Sequence, residues 1–315
     1  MSRLFSAFIL FACFATGLAA DATNTTADAS DKPIAPAYIA MILFAICGLI
    51  HWIHFFTVKP IRPFMLSLTL GMTAMTTGFA LRVVYTYPPF TIGKYIAWDL
   101  FILLSPCLFL AANYTLLAHL AATFDKEVTD RCLLIRSSRI VKLFVWSDVT
   151  TFFLQSSGGG LTATKNNPSI ANIGNKIVMI GLILQAVSYL LFTCVLIVFG
   201  WRVSAHFPAA WRPQNPRPFK LLSRQPIDDW RIVFYIMCTT CVGILVRSVF
   251  RIAEFGEGYS GVIATHEGYF YVFDSLPLWL AMTLYCVVWP ARALNVHSGQ
   301  MELQSTSRTA LKAYI

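Results

Sequence analysis

Long apolar runs alternate with short polar segments along almost the whole chain, and each run is close to the ~20 residues that cross a bilayer as helix. They predict helices at about 38–57, 64–84, 95–118, 140–157, 176–199, 232–252 and 270–289. The fourth run is the least apolar because it contains Lys142, Asp148 and Gln155. Ahead of the first run, Arg3 precedes the apolar stretch Leu4 to Leu18, and Gly17, Ala19 and Ala20 supply small residues. That layout predicts a cleaved signal peptide over 1–20, its core being short for an eighth helix. The polar, Thr-rich segment 21–37 follows, with the glycosylation sequon Asn24-Thr25-Thr26. The expected architecture is an all-α, seven-transmembrane-helix bundle over 38–290 with a cytoplasmic tail over 291–315.

Composition agrees with a lipid solvent: 57% of the 315 residues are hydrophobic and 12% are charged, against about a quarter charged in soluble domains. The formal charge of +9 sits in short segments between apolar runs and forms no basic face with interleaved aromatics, which argues against a nucleic-acid partner. Those basic residues are lopsided instead. Lys59, Arg62, Lys126, Arg131, Arg136, Arg139, Lys142, Arg202, Arg212, Arg217, Lys220, Arg224, Arg231, Arg292, Arg308 and Lys312 fall on one side of the predicted bundle, whereas Lys32, Lys94, Lys165 and Lys176 fall on the other. The positive-inside rule then places the N-terminus outside and the C-terminus in the cytoplasm, and the agreement requires the fourth helix. The longest cytoplasmic loop, 201–230, carries Pro208, Pro213, Pro216, Pro218 and Pro226, which forbid one continuous helix.

Little catalytic chemistry is visible, and no enzymatic activity is expected. There is no GxxxxGK[ST] loop, so no nucleotide-driven motor. Cys47, Cys107, Cys194, Cys238, Cys241 and Cys286 lie within apolar spans and read as small packing residues. His51 and His54 share a face of the first helix; interior hydrogen bonding is their expected role, with a haem or porphyrin axial ligand as the alternative. No metal site and no cofactor are expected. Asn113-Tyr114-Thr115 matches a sequon but lies inside a span.

Ionisable side chains at membrane depth are costly and usually face the bundle interior. In the sixth predicted helix, Arg247, Arg251 and Glu254 are spaced four and three apart, so they share a face. In the seventh, Glu267, Tyr271 and Asp274 repeat that spacing, which predicts two charged stripes facing each other. Asp148 and Gln155 share a face of the fourth helix before Gly158-Gly159-Gly160, expected to release the chain. Arg82 ends the second helix, with Gly78 a turn earlier to admit a close neighbour. Arg82, Asp99, Gln155, Gln185, Arg247, Arg251, Glu254, Glu267 and Asp274 fall in the outer half of the predicted bundle, with Asp148 deeper in the fourth helix, and read as the wall of a polar cavity opening outward. Counted with Glu267, the outer-half carboxylates exceed the arginines by one, which favours a cationic amphiphile. Pro106 and Pro277 should kink their helices and free backbone carbonyls.

The run Val246-Arg247-Ser248-Val249-Phe250-Arg251-Ile252-Ala253-Glu254-Phe255, followed by Gly258, Gly261, Glu267, Tyr271 and Asp274, resembles the signature of the fungal RTA-like family. Asp148 through Gln155 to Gly158-Gly159-Gly160, Gly181-Leu182 with Gln185, and Ser105-Pro106 through Ala111-Ala112-Asn113-Tyr114 agree with it. That family comprises the seven-helix "resistance to aminocholesterol" proteins, also called lipid-translocating exporters. Met75 stands where the family usually has a glutamate, Trp289-Pro290-Ala291 where it has His-Pro-Gly, and His119 where it often has an arginine.

The resemblance implies a fungal multi-pass protein moving amphiphiles such as sphingoid long-chain bases, linked to resistance against membrane-active compounds, with porphyrin handling among relatives. The plasma membrane is the expected location, a vacuolar or other endomembrane the alternative. The competing function is a seven-helix receptor-like sensor of a lipid or porphyrin ligand. It lacks support from an Asp-Arg-Tyr motif, since Leu117-Ala118-His119-Leu120 stands at the inner end of the third helix.

Overall fold

The computed structural model describes residues 35–88, 91–162, 168–212, 227, 229–257 and 267–294. The expected signal peptide, Asn24 and the tail beyond 294 lie outside them. In chain order the helices are α1 (Ala35–Thr57), α2 (Leu66–Tyr85) entered through a 3-10 turn at Pro63–Met65, α3 (Ile92–Ala121), the short α4 (Lys126–Cys132) and α5 (Ser137–Thr162). They continue as α6 (Pro168–His206), the short α7 (Pro208–Trp211), α8 (Trp230–Glu257), α9 (Glu267–Tyr269) and α10 (Leu276–Val287). A π-helical turn, Phe270–Ser275, joins α9 to α10. Among the described residues there is no strand.

Six of these helical stretches are long and apolar enough to cross a membrane, by length and composition, and the chain is a multi-pass membrane protein. The 26-residue α5 is not among the six, because Arg139, Lys142, Asp148 and Gln155 dilute its hydropathy. Its packing nevertheless follows one stripe: Ile140, Phe144, Asp148, Thr151, Gln155 and Gly158 are buried, while Leu143 and Trp146 are exposed. On α1 the exposed stripe is likewise apolar, comprising Ile39, Ile42, Ile46, Leu49, Ile53 and Phe56. Apolar outside with polar inside is the reverse of a water-soluble helix and suits lipid.

The helices close a ring in which neighbours in sequence are neighbours in space: α1 on α2, α2 on α3, α3 on α5, α5 on α6, α6 on α8, α8 on α10, and α10 back on α1. Of the six spans α3 is the most enclosed, with 78% of its most apolar stretch buried, and α1 the least, with 28%. Small residues set the tightest crossings. A Cβ on Gly158 would lie 2.8 Å from the Gly174 carbonyl oxygen, and one on Gly78 would lie 2.8 Å from the Ile102 side chain. Gly158 therefore does not release the chain as expected; α5 continues through Gly160 to Thr162, and this glycine lets the α5 and α6 backbones touch. Beyond α10 the chain stays in the bundle through Leu294. Ala291, Arg292, Ala293 and Leu294 are buried, and the Ile227 N–H donates to the Arg292 carbonyl at 3.3 Å.

Candidate functional site

One buried stripe of α8 changes chemistry halfway along. Met237, Cys241 and Ile244 are apolar core, and the same face continues into Arg247 and Arg251. Both arginines meet one carboxylate: Arg247 Nη1 donates to Asp274 Oδ2 at 2.6 Å and Arg251 Nε to Asp274 Oδ1 at 2.6 Å. Asp274 is fully buried and each arginine nearly so. Arg251 Nη1 also donates to Glu254 Oε2 at 3.1 Å, three residues on along α8. Burial of this set is sustained by pairing, because charges removed from water must be matched by partners.

Two prolines shape the surroundings. Pro106 has no N–H to offer the Ile102 carbonyl one turn earlier, and Arg247 Nη2 approaches that carbonyl at 3.5 Å. Pro277 likewise leaves the Phe273 carbonyl without its usual donor, and the chain before it widens into the π-helical turn that carries Asp274. That wider turn alters the expected stripe. Tyr271 faces Arg82 and stacks on Phe79 of α2, whereas Asp274 faces the α8 arginines, so the two serve different neighbours. Glu267 lies in α9, and its side chain is outside the described residues.

Polar contacts continue on either side of the cluster. The Arg82 guanidinium sits 4.6 Å from the Phe270 ring centre and 4.9 Å from that of Trp98; Arg251 lies 5.2 Å from the same Phe270 ring. One aromatic ring thus contacts two cations, an arrangement its negative face favours. Asp99, half-buried on α3, feels the opposite charges of Arg251 and Arg82. On the other side, Gln155 of α5 donates to Gln185 Oε1 of α6 at 3.0 Å, and Gln185 Nε2 reaches Cys107 Sγ at 3.4 Å. Asp148 is buried beside the Tyr114 hydroxyl, with neither carboxylate oxygen in hydrogen-bond geometry.

Between these groups lies a cleft of about 20 Å³ lined by Leu103, Pro106, Leu110, Gln155, Leu182, Gln185, Ile244, Arg247, Ser248 and Arg251. Such a volume holds roughly one water, so the cleft is narrow where the sequence led to an open cavity. Two unmatched groups belong to it: Arg251 Nη2, a donor, and Gln155 Oε1, an acceptor. Among the described groups, Arg82, Arg247 and Arg251 stand against Asp99, Glu254 and Asp274, with Asp148 as a fourth acidic residue. The surplus of one counted from the sequence rests on Glu267, whose side chain lies outside the described residues.

A second polar assembly escaped sequence reading. Asn113 Nδ2 donates to Tyr189 Oη at 3.1 Å, Tyr285 Oη donates to Asn113 Oδ1 at 2.7 Å, and Tyr189 Oη donates to Cys241 Sγ at 3.3 Å. Asn113 had drawn notice as a false sequon and within the run that resembles the family, not as a network member. His51 and His54 are not part of the cleft. They lie on the α1–α10 seam, both against Trp289, and among the described residues Cys47, His51 and Cys286 are grouped closely enough to hold a metal ion.

Comparison with known proteins places this architecture. Protein RTM1 of Saccharomyces cerevisiae is 30% identical over 73% of this chain and 69% of its own length. The yeast protein named Protoporphyrin uptake protein 1 is 28% identical over 69% of this chain and 65% of its own length. The yeast Sphingoid long-chain base transporter RSB1 is 23% identical over 90% of this chain and 82% of its own length. No solved structure matches. The model of the family described as "RTA1 like protein" matches residues 68–297, the stretch that holds the ion-paired cluster, the cleft and all but the first span, and the chain belongs to that family.

Proposed function

We propose that this protein moves amphiphiles with an amine-and-hydroxyl head group, of the sphingoid long-chain base class, across or out of the bilayer, without catalysing a chemical change. The observation that carries the reading is the cleft at lipid depth, with one unmatched donor, Arg251 Nη2, and one unmatched acceptor, Gln155 Oε1. A head group bearing both an ammonium and hydroxyls offers hydrogens to the acceptor and oxygen lone pairs to the donor. The apolar wall of Leu103, Leu110, Leu182 and Ile244 suits the first methylenes of a chain. One relative, the yeast sphingoid long-chain base transporter, supports the same class. Since the cleft holds about one water, substrate binding requires α5 and α6 to part from α8.

In this reading α5 is a seventh span, supported by its lipid-suited exposed face, and the basic segments lie in the cytoplasm with the N-terminus outside, glycosylated at Asn24, in the plasma membrane. The experiment is translocation of a fluorescent sphingoid base by the purified protein in liposomes, with protoporphyrin as a second cargo because another relative carries that name. Transport of the base without any partner protein is the expected result. Absence of transport together with ligand-dependent capture of a cytosolic protein would overturn it in favour of a sensor.

A further inference from the structure

We infer that Cys47, His51 and Cys286 form a binding site for a thiophilic metal ion, Zn(II) or Cu(I), that clasps the first helix of the bundle to the last. Cys47 and His51 are four apart on α1, so their side chains share one face, and Cys286 reaches that face from α10. One ligand atom from each lies within 4.8 Å of the other two, and the two sulfurs are 3.0 Å apart.

The second observation concerns the imidazole. His51 is completely buried, and the backbone of Met282 on α10 is a polar neighbour of its ring, but neither ring nitrogen reaches hydrogen-bond geometry with any group. A buried imidazole with no well-formed hydrogen bond is costly, and its neighbours hold it in place. Its ring packs on Trp289 at 5.7 Å, while His54 stacks on the other side of the environment, 5.5 Å from Trp289, with its Nε2 at 3.0 Å from the Cys286 carbonyl. That last contact fixes the Cys286 backbone and leaves His51 as the nitrogen ligand.

Two sulfurs and one imidazole are a donor set for soft ions. Zn(II) binding would release both thiol protons, so the buried site would exchange two unit charges for one divalent ion and keep its net charge. Cu(I) would displace one proton with the same result. Metal–sulfur bonds near 2.3 Å and metal–nitrogen bonds near 2.0 Å require the sulfurs to separate to roughly 3.8 Å, which small rotations of the two Cys side chains supply. Thr283 Oγ1, 3.8 Å from Cys47 Sγ, or a water can complete a tetrahedral Zn(II); Cu(I) needs no fourth ligand. The α1–α10 contact closes the helical ring, and α1 is otherwise the least enclosed span, so a metal here would act where the bundle is held least.

The test is metal analysis of the full-length protein purified in detergent without chelator, then titration with Zn(II) and, under reducing conditions, with Cu(I). The wild type should retain one ion per chain, and X-ray absorption should show two sulfurs and one nitrogen around it. Cys47→Ser, Cys286→Ser and His51→Gln should each reduce retained metal to background, whereas Cys194→Ser, at an exposed cysteine, should leave it unchanged. The absorption spectrum of the wild type decides the matter should the variants fail to fold. An all-oxygen or all-nitrogen shell, failure of the wild type to bind either ion, or a Cys47–Cys286 disulfide found by non-reducing mass spectrometry would overturn the assignment.

Discussion

Two buried polar regions cross the interior of this bundle, and they are built on opposite plans. The network of Asn113, Tyr189, Tyr285 and Cys241 is neutral and closed: both ends of the Asn113 amide are engaged, and Tyr285 also meets Thr240 at 3.3 Å. The cluster of Arg247, Arg251, Asp274 and Glu254 is ionic and open, leaving Arg251 Nη2 unmatched at the edge of a cleft. A structural network gains from leaving nothing unsatisfied, since each orphaned buried group costs free energy. In the proposed function, the contrast separates what holds α3, α6, α8 and α10 together from what would meet a ligand.

The largest effect should come from Asp274, which neutralises two arginines at once. Asp274→Asn leaves uncompensated positive charge in the interior, expected to cost about 3–5 kcal/mol, seen as a lowered melting temperature in detergent and low folded yield. Replacing the whole set, Arg247→Met with Arg251→Met, Asp274→Leu and Glu254→Gln, so that no carboxylate is left without its arginine, should restore folding, as apolar substitution of buried ion triads does, while translocation stays lost. Normal melting in Asp274→Asn would erase the distinction between the two regions.

Next is Tyr285→Phe in the neutral network. Asn113 Oδ1 loses its 2.7 Å donor, and an orphaned buried acceptor costs about 1–3 kcal/mol. Here stability should fall while sphingoid-base translocation per folded molecule is unchanged. A loss of transport at wild-type stability would move this network into the ligand path.

The sequence made the ionic region legible and the neutral one invisible, for a physical reason. Charges at lipid depth are rare enough to stand out singly, so Arg247, Arg251 and Asp274 announce themselves by type and by spacing of three and four. Asn113, Tyr189 and Tyr285 are ordinary in apolar helices, and nothing in one sequence says that positions 76 and 172 residues apart meet. Cys47 with His51 did carry a signal, the i,i+4 spacing, but its third member waits at the far end of the chain. Pairing details were also beyond reach. Period-3.6 reasoning grouped Tyr271 with Asp274, and the π-helical turn before Pro277 separated them. The shared face allowed Glu254 to pair either along its own helix or across to the last one, and Glu254 binds Arg251 on its own helix.

The Arg251–Glu254 pair sets a smaller prediction. Glu254→Gln leaves Arg251 still held by Asp274 at 2.6 Å, and the lost pair, partly exposed on the Glu254 side, is expected to cost about 1 kcal/mol or less. Thermal melting of Glu254→Gln beside Asp274→Asn measures the ratio directly. Equal losses would mean that the cluster is held by Glu254 as much as by Asp274.

The smallest effect on stability, and the sharpest on function, should come from the glutamine pair. Gln155 and Gln185 bond each other at 3.0 Å across α5 and α6, in a crossing kept close by glycine: a Cβ on Gly181 would lie 2.8 Å from Gln155 Cγ. Exchanging both for leucine removes donor and acceptor together, which is nearly neutral when shape is kept, so the melting temperature of Gln155→Leu with Gln185→Leu should stay close to wild type. The cleft, however, loses its unmatched acceptor and keeps its unmatched donor, Arg251 Nη2. Head-group selection should shift accordingly. In a competition series at fixed chain length with amine, hydroxyl and phosphate head groups, the wild type should favour the amine and the double variant should lose that preference, by roughly ten-fold for each 1.4 kcal/mol of contact removed. If the double variant still selects the amine, selection lies with Asp148, Asp99 or Asp274 and not with the glutamines. Single changes would not separate these cases, because Gln155→Leu alone orphans Gln185 and mixes a folding cost into the binding measurement. Only the paired substitution keeps the interior matched while changing what the cleft offers.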